Sequence, residues 1–256
     1  MELQKQNWQN FYNNHRGDWQ GIWTRYTFEG EIIEVIKSLR SLQGNSENVN
    51  IIHHTNRYQY ADGRTVEKSW DWQLNKRSNA FPKMRSLFFE NGAAAWVTTQ
   101  LEVAAFFQVE LFFRHQDLRL SIPVIYNDDS SNRVVTFRED KRGFPSQYWS
   151  QELDLLAQRK FGNNWQGNLI AIASDLKVSA SVPTKLNWGR DGYKNFFLPD
   201  GVSVNCPPRL EIGSSFSITG NWLVTDSYLQ QITANYDDSG TFSSVTFEEL
   251  WKVTSS

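Results

Sequence analysis

Cysteine is nearly missing from this sequence: among 256 residues there is one, Cys206. That excludes a disulfide framework within the chain and a cysteine-based zinc site. No apolar run reaches the roughly 18 residues that a membrane-spanning helix needs. The polar start, MELQKQNWQN, lacks the apolar stretch of a secretory signal, and no Asn-x-Ser/Thr sequon occurs. These absences predict a cytoplasmic protein. A charge excess is missing too: 26 Lys+Arg stand against 28 Asp+Glu, for a net charge of −2. A broad electrostatic surface for nucleic acid or an anionic membrane is thereby excluded. The glycine-rich phosphate loops, the EF-hand spacing, His-Glu-x-x-His and Gly-x-Ser-x-Gly are all absent, which removes the standard nucleotide, calcium, zinc-protease and α/β-hydrolase readings.

What is abundant is aromatic: 14% of residues, including 11 Trp and 17 Phe. A single domain takes on the order of 100–200 residues, so the length fits two small domains or one large β domain. Glu2–Asn14 predicts a short helix, with Trp8, Phe11 and Tyr12 on one face and Gly17 after its end. Strand patterns follow: Gly21–Phe28, Glu31–Leu42, Val49–Tyr60, Thr65–Trp72, Met84–Glu90, Ala93–Gln100, Phe106–Arg114, Leu118–Tyr126 and Arg133–Glu139. Many short strands between turn signals indicate an antiparallel barrel or sandwich. A second helix is predicted over Ser146–Lys160, after Pro145 and before Gly162. Strand patterns then resume from Trp165 to Val253.

The chain resembles itself. GDWQGIW at Gly17–Trp23 matches NNWQGNL at Asn163–Leu169, and IYNDDSSNRVVTFRED at Ile125–Asp140 matches NYDDSGTFSSVTFEEL at Asn235–Leu250. Two matches in the same order indicate two diverged copies of one helix-then-barrel unit. The halves are read as 1–143 and 144–256, the second shorter. The expected fold is all-β with short helices, as two tandem antiparallel β-barrels; one large β-sandwich is the alternative.

Gly17-Asp18-Trp19 and Gly21-Ile22-Trp23 each resemble the Gly-x-Trp that opens the first strand of lipocalins and other calycins. The resemblance implies a Trp at the barrel base, covered by a basic residue of a late strand, a role that falls to Arg138. The N-terminal half, from Trp8-Gln9-Asn10-Phe11 through Trp19–Tyr26 to Val135–Glu139, resembles an uncharacterised lipocalin-like family of cyanobacteria and photosynthetic eukaryotes. It is more distantly similar to the lipocalin-like bilin lyases. This implies a lipocalin-like fold and no established activity, and no motif carries chromophore-binding positions across.

An eight-stranded barrel is just wide enough to be filled by side chains or to hold one small ligand. Trp23, Trp70, Trp72, Phe88, Trp96, Phe107 and Phe113 are the candidates for lining such a cup in the first half, or for filling it. Arg25, Arg40, His54 and Arg57 are candidates to fix a ligand's polar end, because an inward arginine needs a carboxylate from the protein or from a ligand. His53 and His54 point to opposite faces of a strand, so no metal site is expected there. Cys206 is read as a buried thiol, and Asp128-Asp129 and Asp237-Asp238 as turn residues. The expected partner is a small hydrophobic or amphipathic molecule; no cofactor and no protein partner is indicated. A lyase or isomerase acting on such a ligand is the alternative, and an interaction protein with filled barrels is a second.

Overall fold

The computed structural model describes residues 2–74, 83–129, 131–162 and 164–253. Ser130 and Asn163, members of the repeated segments, lie outside this set. The helix α1 (Glu2–His15) comes first. Nine strands follow: β1 (Gly17–Thr27), β2 (Ile32–Gly44), β3 (Ile51–Gln59), β4 (Thr65–Gln73), β5 (Met84–Phe88), β6 (Ala94–Thr98), β7 (Phe107–His115), β8 (Leu118–Tyr126) and β9 (Arg133–Asp140). They form one antiparallel sheet in the order β4-β3-β2-β1-β9-β8-β7-β6-β5. The first strand therefore pairs with the last, and the edges fall at β4 and β5. The sheet curls until those edges face each other: the rings of Trp72 on β4 and Trp96 on β6 are 4.9 Å apart.

Helix α1 bridges this seam, and its asparagines explain why. Asn7, Asn10 and Asn14 share one helical face. Asn7 accepts from the Phe88 N–H at 2.8 Å and donates to the Ser86 carbonyl at 3.1 Å; Asn10 donates to the Phe88 carbonyl, and Asn14 to the Glu90 carbonyl, each at 2.9 Å. They occupy backbone groups that an edge strand otherwise leaves open. Trp8 reaches the other way, from its indole N–H to the Val49 carbonyl at 2.9 Å.

The second sheet holds β10 (Trp165–Ala173), β11 (Val182–Lys185), β12 (Lys194–Phe197), β13 (Val202–Cys206), β14 (Phe216–Thr225), β15 (Tyr228–Tyr236) and β16 (Phe242–Lys252). Their order is β11-β10-β16-β15-β14-β13-β12. The run β10-β16-β15-β14-β13-β12 repeats β1-β9-β8-β7-β6-β5. The fold is thus all-β with one short helix among the described residues, two tandem lipocalin-like barrels of which the second is shorter.

The main core lies between the sheets rather than inside either. Alternation along β7 and β8 sends Val109, Leu111, Phe113, Leu120, Ile122 and Val124 outward from the first barrel, where they pack on Val204, Ile218, Ile232, Ala234 and Phe247 of the second sheet. Two tyrosines cross this core reciprocally. Tyr126 donates to the Pro207 carbonyl at 2.8 Å, and Tyr236 to the Thr98 carbonyl at 2.9 Å. Cys206 is buried in the same core, which pushes its thiol up to about 12. The paired Asp segments are turns, with Asp129 accepting from the Ser131 N–H and Asp237 from the N–H groups of Ser239 and Thr241.

The helix predicted over Ser146–Lys160 does not form; the segment is an irregular strap along the junction. Its carbonyls are taken by side chains instead of by a helical ladder. Arg138 donates to Ser150 at 3.2 Å and to Glu152 at 3.0 Å, and Tyr26 donates to Leu153 at 2.8 Å. Trp149 donates to the Glu139 carbonyl at 3.0 Å and stacks on Trp222. Arg138 also pairs with Asp200, so it points away from the barrel base. The cation over Trp19 is Arg119, 4.3 Å from the ring centroid, joined by Lys141 at 4.7 Å. That corrects the role assigned to Arg138, whose place on β9 sends its side chain to the outer face.

The repeated Trp-Gln-Gly has a steric cause. A Cβ on Gly21 would lie 2.3 Å from the Arg138 carbonyl oxygen, and one on Gly167 would lie 1.7 Å from that of Glu249. In each sheet the last strand crosses the first too closely for a side chain. Gly21→Ala and Gly167→Ala are each expected to lower stability by about 1–3 kcal/mol or more, as overpacking against backbone does. Urea unfolding measures it; a loss below roughly 0.5 kcal/mol, the size of an ordinary surface substitution, would contradict the steric account.

Candidate functional site

Because the outward face of the first barrel serves the intersheet core, its inward face is free to be polar. On β1, Trp19, Gly21, Trp23 and Arg25 share that inward face. Across the barrel, β2 contributes Ser38 and Arg40, β3 His54, Asn56 and Tyr58, and β4 Trp70 and Trp72. Glu110 and Phe112 come from β7, Arg119 and Ser121 from β8, and Phe137 and Glu139 from β9.

A buried ion cluster forms the floor. The Glu139 carboxylate is 2.7 Å from Arg119 and 3.4 Å from Arg40, and all three are at least nine-tenths buried. Arg40 lies over the Phe137 ring, 4.8 Å from its centroid. Burial lowers Arg119 to about 10 against the opposing pull of Glu139, which leaves it charged at neutral pH. Glu110 accepts from the Ser121 hydroxyl at 3.0 Å. Burial pushes its carboxyl up to about 7, with Arg40 and the Ser121 bond pulling the other way.

A chain of polar contacts climbs from this floor. Trp72 donates its indole N–H to His54 Nδ1 at 2.9 Å, His54 Nε2 meets the Asn56 amide oxygen at 2.8 Å, and the Asn56 amide donates to the Tyr58 hydroxyl at 2.8 Å. The Trp72 bond makes Nδ1 the acceptor, so Nε2 carries the proton. Burial, then the charge on Arg40, holds His54 well below its usual range; burial and then Arg119 do the same to His15. Both imidazoles are therefore neutral at pH 7.

A cavity of about 540 Å³ opens at the seam between β4 and β5, beneath α1. Trp8, Phe11, Trp72, Phe88, Met84 and Trp96 supply its apolar wall. Asn7, Ser86, Lys83 and Arg85 line it too, and Ser174, Leu176 and Phe242 of the second half border it. Its volume lies in the roughly 300–1,000 Å³ range of small-molecule sites.

The predicted residues divide between two faces. Trp72 and Trp96 line the cavity. Trp23, Arg40, His54 and Trp70 stand on the inward face beyond it. Arg25 is at the rim, paired with Glu34 at 2.7 Å. Arg57 points outward, exposed, and pairs with Glu67 at 2.9 Å. Phe107 belongs to the intersheet core, beside Phe216 and Tyr236, and Phe113 lies in the same core. Both phenylalanines face away from the barrel interior because odd positions of β7 point outward. His53 is exposed on Asp71, opposite in direction to His54. Sequence reasoning missed Glu110, Glu139 and the part played by α1. A lone carboxylate in Phe107-Gln-Val-Glu-Leu-Phe-Phe113 was the available signal for Glu110, since an acid amid apolar strand residues needs a reason.

A meander whose first strand pairs with its last, opened by Gly17-Asp18-Trp19 with Arg119 over the Trp ring, makes this a lipocalin-like protein. The chain belongs to the DUF3598 family, a domain of unknown function, whose N-terminal model matches residues 4–144. The C-terminal domain model of biogenesis factor required for ATP synthase 1 matches residues 189–252. A protein of unknown function from the DUF3598 family of Nostoc punctiforme has a crystal structure with TM-score 0.75 at 18% identity, covering 96% of this chain and 99% of its own. The S-type phycobiliprotein lyase CPES of Guillardia theta is similar at TM-score 0.38 and 10% identity, over 54% of this chain and 93% of its own. No curated protein matches the sequence. Among the described residues no helix is long and apolar enough to cross a membrane.

Glu110 makes a pH signature. Its carboxyl titrates near 4.5 in an unfolded chain and near 7 in the fold. Below the lower value it is protonated in both states; above it the unfolded chain ionises first, so its contribution to stability falls as pH rises towards 7. The full loss is on the order of 3 kcal/mol. His15 and His54, with lowered values, act oppositely: their stabilisation is present above about 6.5 and is lost on acidification. Comparing the native protein with Glu110→Gln isolates the carboxyl. Their unfolding free energies are expected to diverge between about pH 5 and pH 8, the variant gaining relative stability at the alkaline end. A constant difference across that range would rule out a buried, protonated Glu110.

Proposed function

We propose that this protein binds one small hydrophobic or amphipathic molecule, of the pigment, tetrapyrrole, isoprenoid or fatty-acid type, in its N-terminal barrel. The observation that carries the reading is the 540 Å³ cavity walled by Trp8, Phe11, Trp72, Phe88 and Trp96. Apolar contact contributes about 25 cal/mol per Å² removed from water, before the cost of ordering the ligand. Flat rings facing the space favour a planar or conjugated body over a branched one. The polar end meets Arg40, His54 and the groups around them.

Glu110 favours a second reading, a lyase or isomerase for such a ligand. A carboxyl near 7 is matched to proton transfer at neutral pH. Recovery of chemically altered ligand after incubation separates catalysis from holding.

The division into halves at 143/144, and their origin by duplication, belong to this proposal as well. The shared strand order, the two steric Trp-Gln-Gly glycines and the reciprocal Tyr126 and Tyr236 bonds support it.

Native mass spectrometry with absorbance on protein purified from its source cell tests the binding reading; a copurifying mass is expected. Cavity filling tests the location. Ser86→Trp and Met84→Trp are expected to weaken binding of the neutral fluorophore N-phenyl-1-naphthylamine by about tenfold or more, roughly 1.4 kcal/mol, with an unchanged Tm. Undiminished binding in both folded variants would place the ligand elsewhere.

A further inference from the structure

We propose that the molecule held by the N-terminal barrel is a carboxylic acid with a planar apolar body, its carboxylate seated on the buried guanidinium groups of Arg40 and Arg119. This deepens the ligand-binding reading and rests on it.

Hydrogen-bond accounting on the inward face carries the inference. The indole N–H groups of Trp23 and Trp70, Nη2 of Arg119 and the Ser38 hydroxyl are buried without a hydrogen-bond partner among the described residues. Three of these four groups are donors only, and the hydroxyl can donate. Unmatched acceptors on the same side are fewer: His15 Nε2 remains, while Glu139 Oε1 and Nε of Arg40 lie 3.4 Å apart and answer each other. An interior with surplus buried donors is complementary to an acceptor.

Charge points the same way. Two guanidinium groups face the Glu139 carboxylate and a Glu110 carboxyl that burial keeps protonated up to about 7. The floor is then net positive. Among the described residues that line the cavity, the charged ones are Lys83, which pairs with Glu102 at 2.6 Å, and Arg85. A ligand carbonyl answers the surplus donors but leaves the charge; a carboxylate answers both. Trp96 on the cavity wall is the direct cross-strand partner of Glu110 on the floor, so its ring stands between the hollow and the ion cluster, whose own residues do not line the cavity. Trp72, in contact with Trp96, bonds His54, whose ring is 4.1 Å from that of Trp70.

Glu110 then modulates affinity. It is faced by Arg40 on β2, Arg119 and Ser121 on β8 and Glu139 on β9. His15 on α1 and His54 on β3 are held neutral by burial, which lowers both well below the usual imidazole range. As pH rises through about 7, Glu110 ionises beside Arg40 and opposes the incoming anion.

The test compares 1-pyrenebutyric acid with 1-pyrenebutanol, two probes with the same ring body, titrated into the full chain by tryptophan fluorescence. At about pH 6 the acid is expected to bind about tenfold or more tightly than the alcohol. The preference is expected to shrink by about pH 8 in the native protein and to stay constant in Glu110→Gln. Arg40→Gln is expected to abolish it while alcohol binding persists. Equal binding of acid and alcohol overturns the anion seat and leaves the cavity reading standing. Binding of neither probe removes the ligand-binding reading and this inference with it. A preference that survives Arg40→Gln but is lost in Arg85→Gln places the carboxylate at the cavity mouth and overturns the seat on the floor. The acid-to-alcohol ratio and its pH profile in the native protein decide the charge question even where Arg40→Gln fails to fold.

Discussion

Everything else in the molecule depends on the apolar contact between the two sheets. Strands β5 to β9 present Leu, Ile, Val and Phe on the outside of the first barrel, and the second sheet covers them. A sheet has two faces, and one buried apolar face is enough to anchor it. With that duty met outside, the inside can carry Arg40, Arg119, Glu110, Glu139 and His54. Charged groups in such a place are tolerated only when paired or neutralised, which is what the Arg119–Glu139 contact and the protonated Glu110 provide.

The seam between β4 and β5 is the second consequence. Edge strands are exposed to unwanted pairing unless something occupies their backbone groups. Here side-chain amides from α1 do so, at Ser86, Phe88 and Glu90, rather than another strand. A helix lies farther from its neighbours than a paired strand, and the difference leaves room for the cavity. Trp8 and Phe11 of α1 face that room, so one short helix both finishes the barrel edge and walls the cavity.

Much of the fold was legible because its signals are local. Period-two alternation marked the nine strands of the first half, and the spacing of Trp8, Phe11 and Tyr12 marked α1. The helical spacing in Ser146–Lys160 was equally local and yet misleading. Its carbonyls find better partners in Arg138 and Tyr26, which approach from more than ten residues away in sequence. Arg138 was assigned as the cover for the base Trp, and strand register instead puts it outside and Arg119 inside.

The sequence by itself determined the antiparallel strands, the leading helix, the Gly-x-Trp base and the excess of rings available to line or fill a cup. Only the tertiary structure decided which face of each strand looks inward. Alternation separates His54 from Arg57 and Phe112 from Phe107, but it is silent on which set meets the barrel interior and which meets the second sheet. That choice belongs to the packing of one sheet on the other, a contact between residues far apart in the chain. The placing of Glu110 among arginines, and of a hollow beneath α1, follows from the same long-range contact.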